Sequence, residues 1–354
     1  MGYGSASERW GSKMSLKSFR EEFIEHVHSL LWRQWTRLGV AGPDTPESRC
    51  ITDPEALLLF TFEVGRSEPR LYDEVLEWLS HYERLVNIQR LRNLMSQDPA
   101  FNLSLAAAPA RWLCTLNKTS KWRDLAKLPI AKVSIPFFTT DRRRTKSTPG
   151  AFDPLYHACG WERPRIKLRG LSSNLQVDVP SALILRMRAL FGLNARAEVV
   201  AYLLANPSGH PTEMARELVY SQPSLFQLCR EMAGSALLFS QSRGREKQYR
   251  LDRERWDAFL GLSEKEGPSW GHWPATFRLL IMLWRHFQDE ALTGASDYMA
   301  ASKTRTLYES ITRLVGDAEL PLALERHGSL QGARWLDAFN EELIGVLIRD
   351  RRFA

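Results

Sequence analysis

In one short stretch of the chain, Gln222, Ser224, Gln227 and Arg230 are interleaved with three apolar residues, Leu225, Cys229 and Met232, that recur at i, i+4 and i+7. That spacing predicts a helix with one buried stripe. Pro223, Gln227 and Arg230 then face away from the stripe, Ser224 and Phe226 flank it, and Gln222 sits in the turn before it. Glutamine and arginine have the donor and acceptor geometry to read adenine or guanine edges. Gln222, Ser224, Gln227 and Arg230 are therefore the candidates to face bases or neighbouring phosphates. A second group, Arg243, Arg245 and Lys247, is crowded into a predicted turn around Gly244 and would grip a sugar-phosphate backbone. A third, Arg142, Arg143, Arg144 and Lys146, would follow phosphates or enter a minor groove; a solvated loop is the alternative.

Constellations for catalysis are weaker. No glycine-rich phosphate loop, G-x-S-x-G elbow or H-E-x-x-H sequence occurs. His26 and His28 are separated by about 200° around a helix and cannot share a metal from one face. Arg20 and His26 fit the loose R-x-H spacing of the HEPN ribonucleases, which makes a helical ribonuclease-like enzyme the third functional reading. A chain with 8 histidines meets that spacing by chance. The adjacent pairs Glu21-Glu22 and Glu341-Glu342 point in different directions and read as solvated surface. Cys50, Cys114, Cys159 and Cys229 are isolated and read as free buried thiols of a reducing compartment. No catalytic residue, metal ligand or cofactor site is assigned, and the chain is expected not to be an enzyme.

The elements that would hold the first two groups run in sequence. Val199, Val200, Leu203 and Leu204 predict a helix over 195–204, ended by Asn206-Pro207-Ser208-Gly209. Thr212 is the expected N-cap of a second helix beginning at Glu213, with Met214, Ala215 and Leu218 turned inward. Tyr220-Ser221-Gln222 makes a tight turn, and Pro223 suits the first turn of the third helix. Leu237, Leu238 and Phe239 predict a strand, 241–247 the basic turn, and 248–252 the returning strand, with Tyr249 and Leu251 alternating. This is the order of a winged helix, whose third helix can lie in a DNA major groove while the hairpin touches the backbone.

Residues 184–256 resemble the winged-helix domains of the bacterial ArsR and MarR classes of transcription regulators. Thr212-Glu213-Met214-Ala215 stands where those domains have a "T-x-x-E-L-A" helix, and Tyr220-Ser221-Gln222-Pro223-Ser224-Leu225 where they have a "Y-S-x-x-T-V" recognition helix. Ala236-Leu237-Leu238 occupies the "G-L-V" strand entry, and Tyr249-Arg250-Leu251 the "Y-x-L" that follows the basic wing. Two positions depart: Ala236 replaces the usual glycine, and Phe226 replaces a small polar residue on the reading face. The resemblance implies a cytoplasmic bacterial transcription regulator that binds double-stranded DNA sequence-specifically as a homodimer. Phe226 motivates the alternative, an antitoxin-like or defence-system module that keeps the winged helix as a scaffold for a protein partner.

At 354 residues, with 44% hydrophobic residues and 12 tryptophans, the chain can build two or three cores. No run of about 18 apolar residues predicts a membrane span. Charge is unevenly placed: 117–170 holds 13 Lys and Arg against 4 Asp and Glu, 184–256 holds 11 against 7, and the whole chain is +7. Positive charge therefore gathers where phosphate contact is expected. The expected fold class is mainly α. A disordered tail (1–14, lacking an apolar signal segment, with Met14 as an alternative start) precedes a helical N-terminal domain (15–116) and a basic irregular connector (117–178). A central winged helix with a small β-hairpin wing (179–262) and a helical C-terminal domain (270–354) follow, joined by a linker over 263–274.

Within these limits, Phe19, Phe23, Val27, Leu30 and Leu31 predict an amphipathic helix over 16–38, and Asp53-Pro54 an N-cap and first helical residue. Further helices are expected over 68–82, 85–95 and 103–116; the middle ones could form a second helix-turn-helix. The connector, broken by prolines, is expected to be partly extended, partly mobile and laid across the globule. Phe277, Leu280, Ile281, Trp284 and Phe287 mark one C-terminal helix, 298–315 a second, and Leu336, Phe339, Leu343 and Leu347 a third. These are expected to pack internally or on another subunit.

Overall fold

A computed structural model describes residues 15–130, 133–139, 152–172, 175, 178–243, 246–262, 267–322 and 327–353. The protein is mainly helical, with two small two-stranded sheets among the described residues.

The first helix, α1 (Leu16–Thr36), is capped by Ser15, whose hydroxyl accepts the Ser18 N–H at 3.1 Å. It buries the expected stripe from Phe19 to Leu31. Asp53 and Pro54 start α2 (Pro54–Val64), which is apolar on nearly every side and buried throughout. A helix of that kind must lie at the centre of a stack. It does so here, with α3 (Pro69–Tyr82), α4 (Ile88–Ser96) and α5 (Ser104–Leu116) around the N-terminal core. The expected 85–95 helix begins late, because a 3-10 turn occupies Glu83–Leu85 and Asn87 provides the cap of α4.

The basic connector departs from expectation. It carries α6 (Arg123–Ala126), β1 (Ile135–Pro136), α7 (Pro154–His157) and β2 (Trp161–Glu162), with β1 and β2 paired in parallel. It is otherwise irregular and partly exposed, as at Val133, Leu168 and Leu171, but it is anchored in the N-terminal core, where Trp122, Phe137, Tyr156 and Trp161 are fully buried. Arg163 is buried with them, ion-paired to Asp73 at 2.5 Å and set over the rings of Tyr156 and Phe138. Burial alone would depress this guanidinium, but Tyr156 and Asp73 more than offset it and raise its pKa. Farther on, the buried Glu77 carboxylate accepts the N–H groups of Arg169, Gly170, Leu171 and Ser172 at 2.6–3.1 Å. The prolines break periodicity, but aromatic anchors and this carboxylate hold the segment in place.

Next come α8 (Leu183–Phe191), α9 (Ala195–Ala205), α10 (Pro211–Leu218), α11 (Gln222–Gly234), β3 (Phe239–Arg243), β4 (Glu246–Arg250) and α12 (Arg253–Leu260). The chain ends with α13 (Trp273–Gln288), α14 (Glu290–Thr293), α15 (Asp297–Asp317) and α16 (Gly332–Arg349). These last helices close back on the first. The α13 helix packs on α2, with Phe277 stacked on Phe60 at 4.8 Å, and α16 packs on α1. The Trp273 indole donates to the Ile51 carbonyl at 2.7 Å. Residues 267–272, expected as a linker, are tied to the N-terminal part, because Ser269 exchanges backbone hydrogen bonds with Arg49 and Ile51.

Candidate nucleic-acid interface

The α9–α11 helices and the β3–β4 hairpin form one unit. Its start corrects an expectation: α10 begins at Pro211, not Glu213, and its cap is His210, whose Nδ1 accepts the Thr212 N–H at 3.2 Å. Proline has no N–H to satisfy and a φ already helical, so it takes the first helical position and moves the cap one residue upstream of it. Gly209, just before, leaves no room for a Cβ, which would lie 2.9 Å from atoms of Met214 and Tyr202. Gly209 also exchanges two backbone hydrogen bonds with Tyr249, tying β4 to the connection between α9 and α10.

The α11 helix follows the expected wheel. Leu225, Cys229 and Met232 are buried, and burial pushes the Cys229 thiol up to about 12. Gln222, Pro223, Ser224, Phe226, Gln227 and Arg230 are exposed. Gln222 belongs to the helix rather than to the turn, since Ser221 is the cap and accepts the Ser224 N–H at 3.3 Å. Three of the four candidate readers hold local bonds. Gln222 donates to the Thr212 hydroxyl at 2.7 Å, the Ser224 hydroxyl accepts from Ser221 at 2.6 Å, and Gln227 donates to Glu231 at 3.1 Å. Arg230 forms no hydrogen bond or ion pair among the described residues.

The hairpin also differs from expectation. Leu237 and Leu238 are not in the strand, because the chain turns at Ala236 (φ +59) and both their N–H groups return to the Met232 carbonyl. Left-handed φ costs a non-glycine residue about 1–2 kcal/mol. The predicted turn over 241–247 shrinks to its tip: Gln241 pairs with Gln248 and Arg243 with Glu246, since the polar residues continue the ladder. Lys247 is exposed, with its ammonium 6.0 Å from the centre of the Tyr249 ring. Arg245 lies outside the described residues, as do Arg142, Arg143, Arg144 and Lys146; of Arg243 only the backbone is described.

Behind the α10–α11 turn lies a group whose members are far apart in the chain. Val219, a β-branched residue, ends α10 at φ +60 and ψ +48. The strained turn is held from the N-terminal helices. Arg90 Nε donates to the Leu218 carbonyl at 2.9 Å, Asn93 to the Val219 carbonyl at 3.2 Å, and Asn87 to the Tyr220 hydroxyl at 3.0 Å. Arg90 also pairs with Asp53 at 2.5 Å and Glu55 at 2.9 Å. Glu55 in turn pairs with Arg188 at 2.7 Å, and Arg188 with Glu198 at 2.8 Å. All five side chains are buried. Burial works against the charge of Arg90 and Arg188, but the facing carboxylates of Asp53, Glu55 and Glu198 raise both pKa values. For Asp53, burial is likewise outweighed by Arg90, so its carboxyl stays below its usual range. The sequence carries only a faint signal of this group: Glu55 precedes the apolar run Ala56-Leu57-Leu58-Leu59-Phe60, although a carboxylate in a first helical turn is ordinary.

The other candidates are dispersed. His26 faces Glu22 at 3.8 Å, while His28 hydrogen-bonds Ser67 at 2.6 Å and burial lowers its imidazole to about 4. Among the described residues no group of three or more His, Cys, Asp or Glu could hold a metal ion, and no helix is long and apolar enough to cross a membrane. The four cysteines are free; all but Cys114 are buried. No family model, curated protein or solved structure matches the chain.

Proposed function

We propose that α9–α11 and the β3–β4 hairpin form a winged helix that binds double-stranded DNA sequence-specifically, in a cytoplasmic, dimeric bacterial transcription regulator. The observation that carries this reading is the outer face of α11. Gln227 and Arg230 are exposed opposite the buried stripe of Leu225, Cys229 and Met232, with Ser224 exposed on its flank and Gln222 exposed at the helix start. In this reading Arg230 and the two glutamines face base edges, exchanging weak local bonds for bonds to bases. Lys247, Arg243 and Arg245 grip phosphates, with Arg142, Arg143, Arg144 and Lys146 as a further backbone contact. The test is selection from a randomised duplex pool: one enriched sequence whose enrichment disappears in Arg230→Ala supports the reading. A pool left unenriched by the wild-type chain refutes it.

A second reading is favoured by Phe226, 43% exposed on the same face, where an aromatic ring suits a protein partner better than a base edge. In that case the unit serves as a scaffold, and Phe226→Ser would abolish partner capture while leaving duplex binding unchanged.

A further inference from the structure

A cleft of about 490 Å³ opens where the end of α10 meets α13 and α15. Three arginines line it, one from each helix: Arg216, Arg278 and Arg313. Two of them are already answered. Arg216 pairs with Glu217 at 3.2 Å and Arg313 with Asp317 at 3.9 Å, and both carboxylates lie in the same wall. His272 holds Glu217 from its other side at 2.8 Å. Arg278 is different: among the described residues it makes no hydrogen bond or ion pair, and its Nε is buried without an acceptor. A buried guanidinium N–H left unsatisfied is costly and is rarely kept without a purpose.

The charges define which ligand the Arg278 guanidinium would take. Three guanidiniums against two carboxylates leave one positive charge in the wall. A monoanion neutralises that charge, whereas a dianion such as a phosphate monoester would leave an excess negative charge beside Glu217 and Asp317. The remaining wall is apolar, formed by Val219, Pro274, Met282 and Leu314. The volume falls in the range of about 300–1,000 Å³ typical of small-molecule sites.

We propose that this cleft is a binding site for a small organic carboxylate, its carboxylate paired with Arg278 and its apolar body lying against Met282 and Leu314. Arginine holds a carboxylate through two parallel N–H donors, which suits a fork with no competing acceptor. The cleft also touches the left-handed Val219 that sets the α10–α11 turn. Occupancy would therefore bear on the angle of α11; this regulatory consequence, unlike the site itself, rests on the DNA-binding reading.

The experiment is calorimetric titration of the full chain with octanoate, with octanol and inorganic phosphate as controls. Octanoate should bind one to one, and octanol and phosphate at least about tenfold more weakly, the value of one charge-assisted hydrogen bond. Arg278→Met should lose octanoate binding by about the same factor, with its melting temperature unchanged or raised. Octanol or phosphate binding as tightly as octanoate, no octanoate binding at millimolar concentration, or full affinity in Arg278→Met would each overturn the proposal. Should Arg278→Met not fold, Met282→Glu places a carboxylate in the cleft, and undiminished octanoate affinity in that variant has the same force. A duplex-binding assay with and without octanoate separates the two claims: a chain that binds octanoate but no duplex keeps the site and loses the DNA reading.

Discussion

On the inner side of the α10–α11 turn, Asp53, Glu55, Arg90, Arg188 and Glu198 are buried and locked to one another at 2.5–2.9 Å. On the exposed surface of α11, Ser224 and Gln227 hold only local bonds, Gln222 at the helix start holds an exposed bond to Thr212, and the Arg230 side chain holds none among the described residues. Charge on the inner side is spent on geometry, fixing a turn that contains no glycine. On the outer side, polar groups are presented on that rigid support while remaining free to change partners, as a binding face requires.

The comparison breaks most visibly at Arg188. Arg188→Met leaves Glu55 and Glu198 buried with too little positive charge, and unfolding in denaturant should register a loss of about 3–5 kcal/mol. A loss below about 1 kcal/mol, the value of an exposed pair, would mean that the inner side is no different from the outer. Acid titration probes the same contrast through Asp53. Its folded pKa lies below the ordinary 3.8, so its contribution is fully present above that pH and is lost as pH falls through the folded value. Removing the cation in Arg90→Met takes away that depression. The variant should therefore lose stability at a higher pH than the wild type when circular dichroism is followed downward from neutrality.

On the outer side the same kind of change should leave folding alone. Arg230→Ala is expected to alter stability by no more than about 0.5 kcal/mol, yet to cost about 1–3 kcal/mol on a preferred duplex, with relaxed sequence preference. Equilibrium unfolding and duplex titration of one preparation separate the two effects. The smallest change is expected at the exit of α11, where Ala236→Gly relieves the left-handed φ and should stabilise the fold by up to about 1 kcal/mol in a thermal melt.

How much of this was legible in the sequence follows the same division. The outer face was readable because it depends on one helix period: Leu225, Cys229 and Met232 fix the wheel, and the polar residues follow from it. The α1 helix is readable for the same reason, and the start of α2 from Asp53-Pro54. The inner cluster was not, because its partners are far apart in the chain and pairing across 133 residues, as between Glu55 and Arg188, leaves no periodic trace. In the connector prolines hide any period, and the anchoring of the segment shows only in its aromatic residues Trp122, Phe137 and Trp161. At α10, Thr212 and Pro211 both suit a helix start and only the backbone decides between them, and the apolar run Leu237-Leu238 does not reveal the turn at Ala236.

The claim that α11 and the hairpin face DNA is tested most directly by fluorescence anisotropy of a labelled duplex against salt, for the wild type and Lys247→Ala. The account predicts that log affinity falls linearly with log salt concentration, and that Lys247→Ala weakens binding to every duplex and reduces the slope by about one. Affinity that is insensitive to salt, or a Lys247→Ala slope equal to that of the wild type, would contradict it.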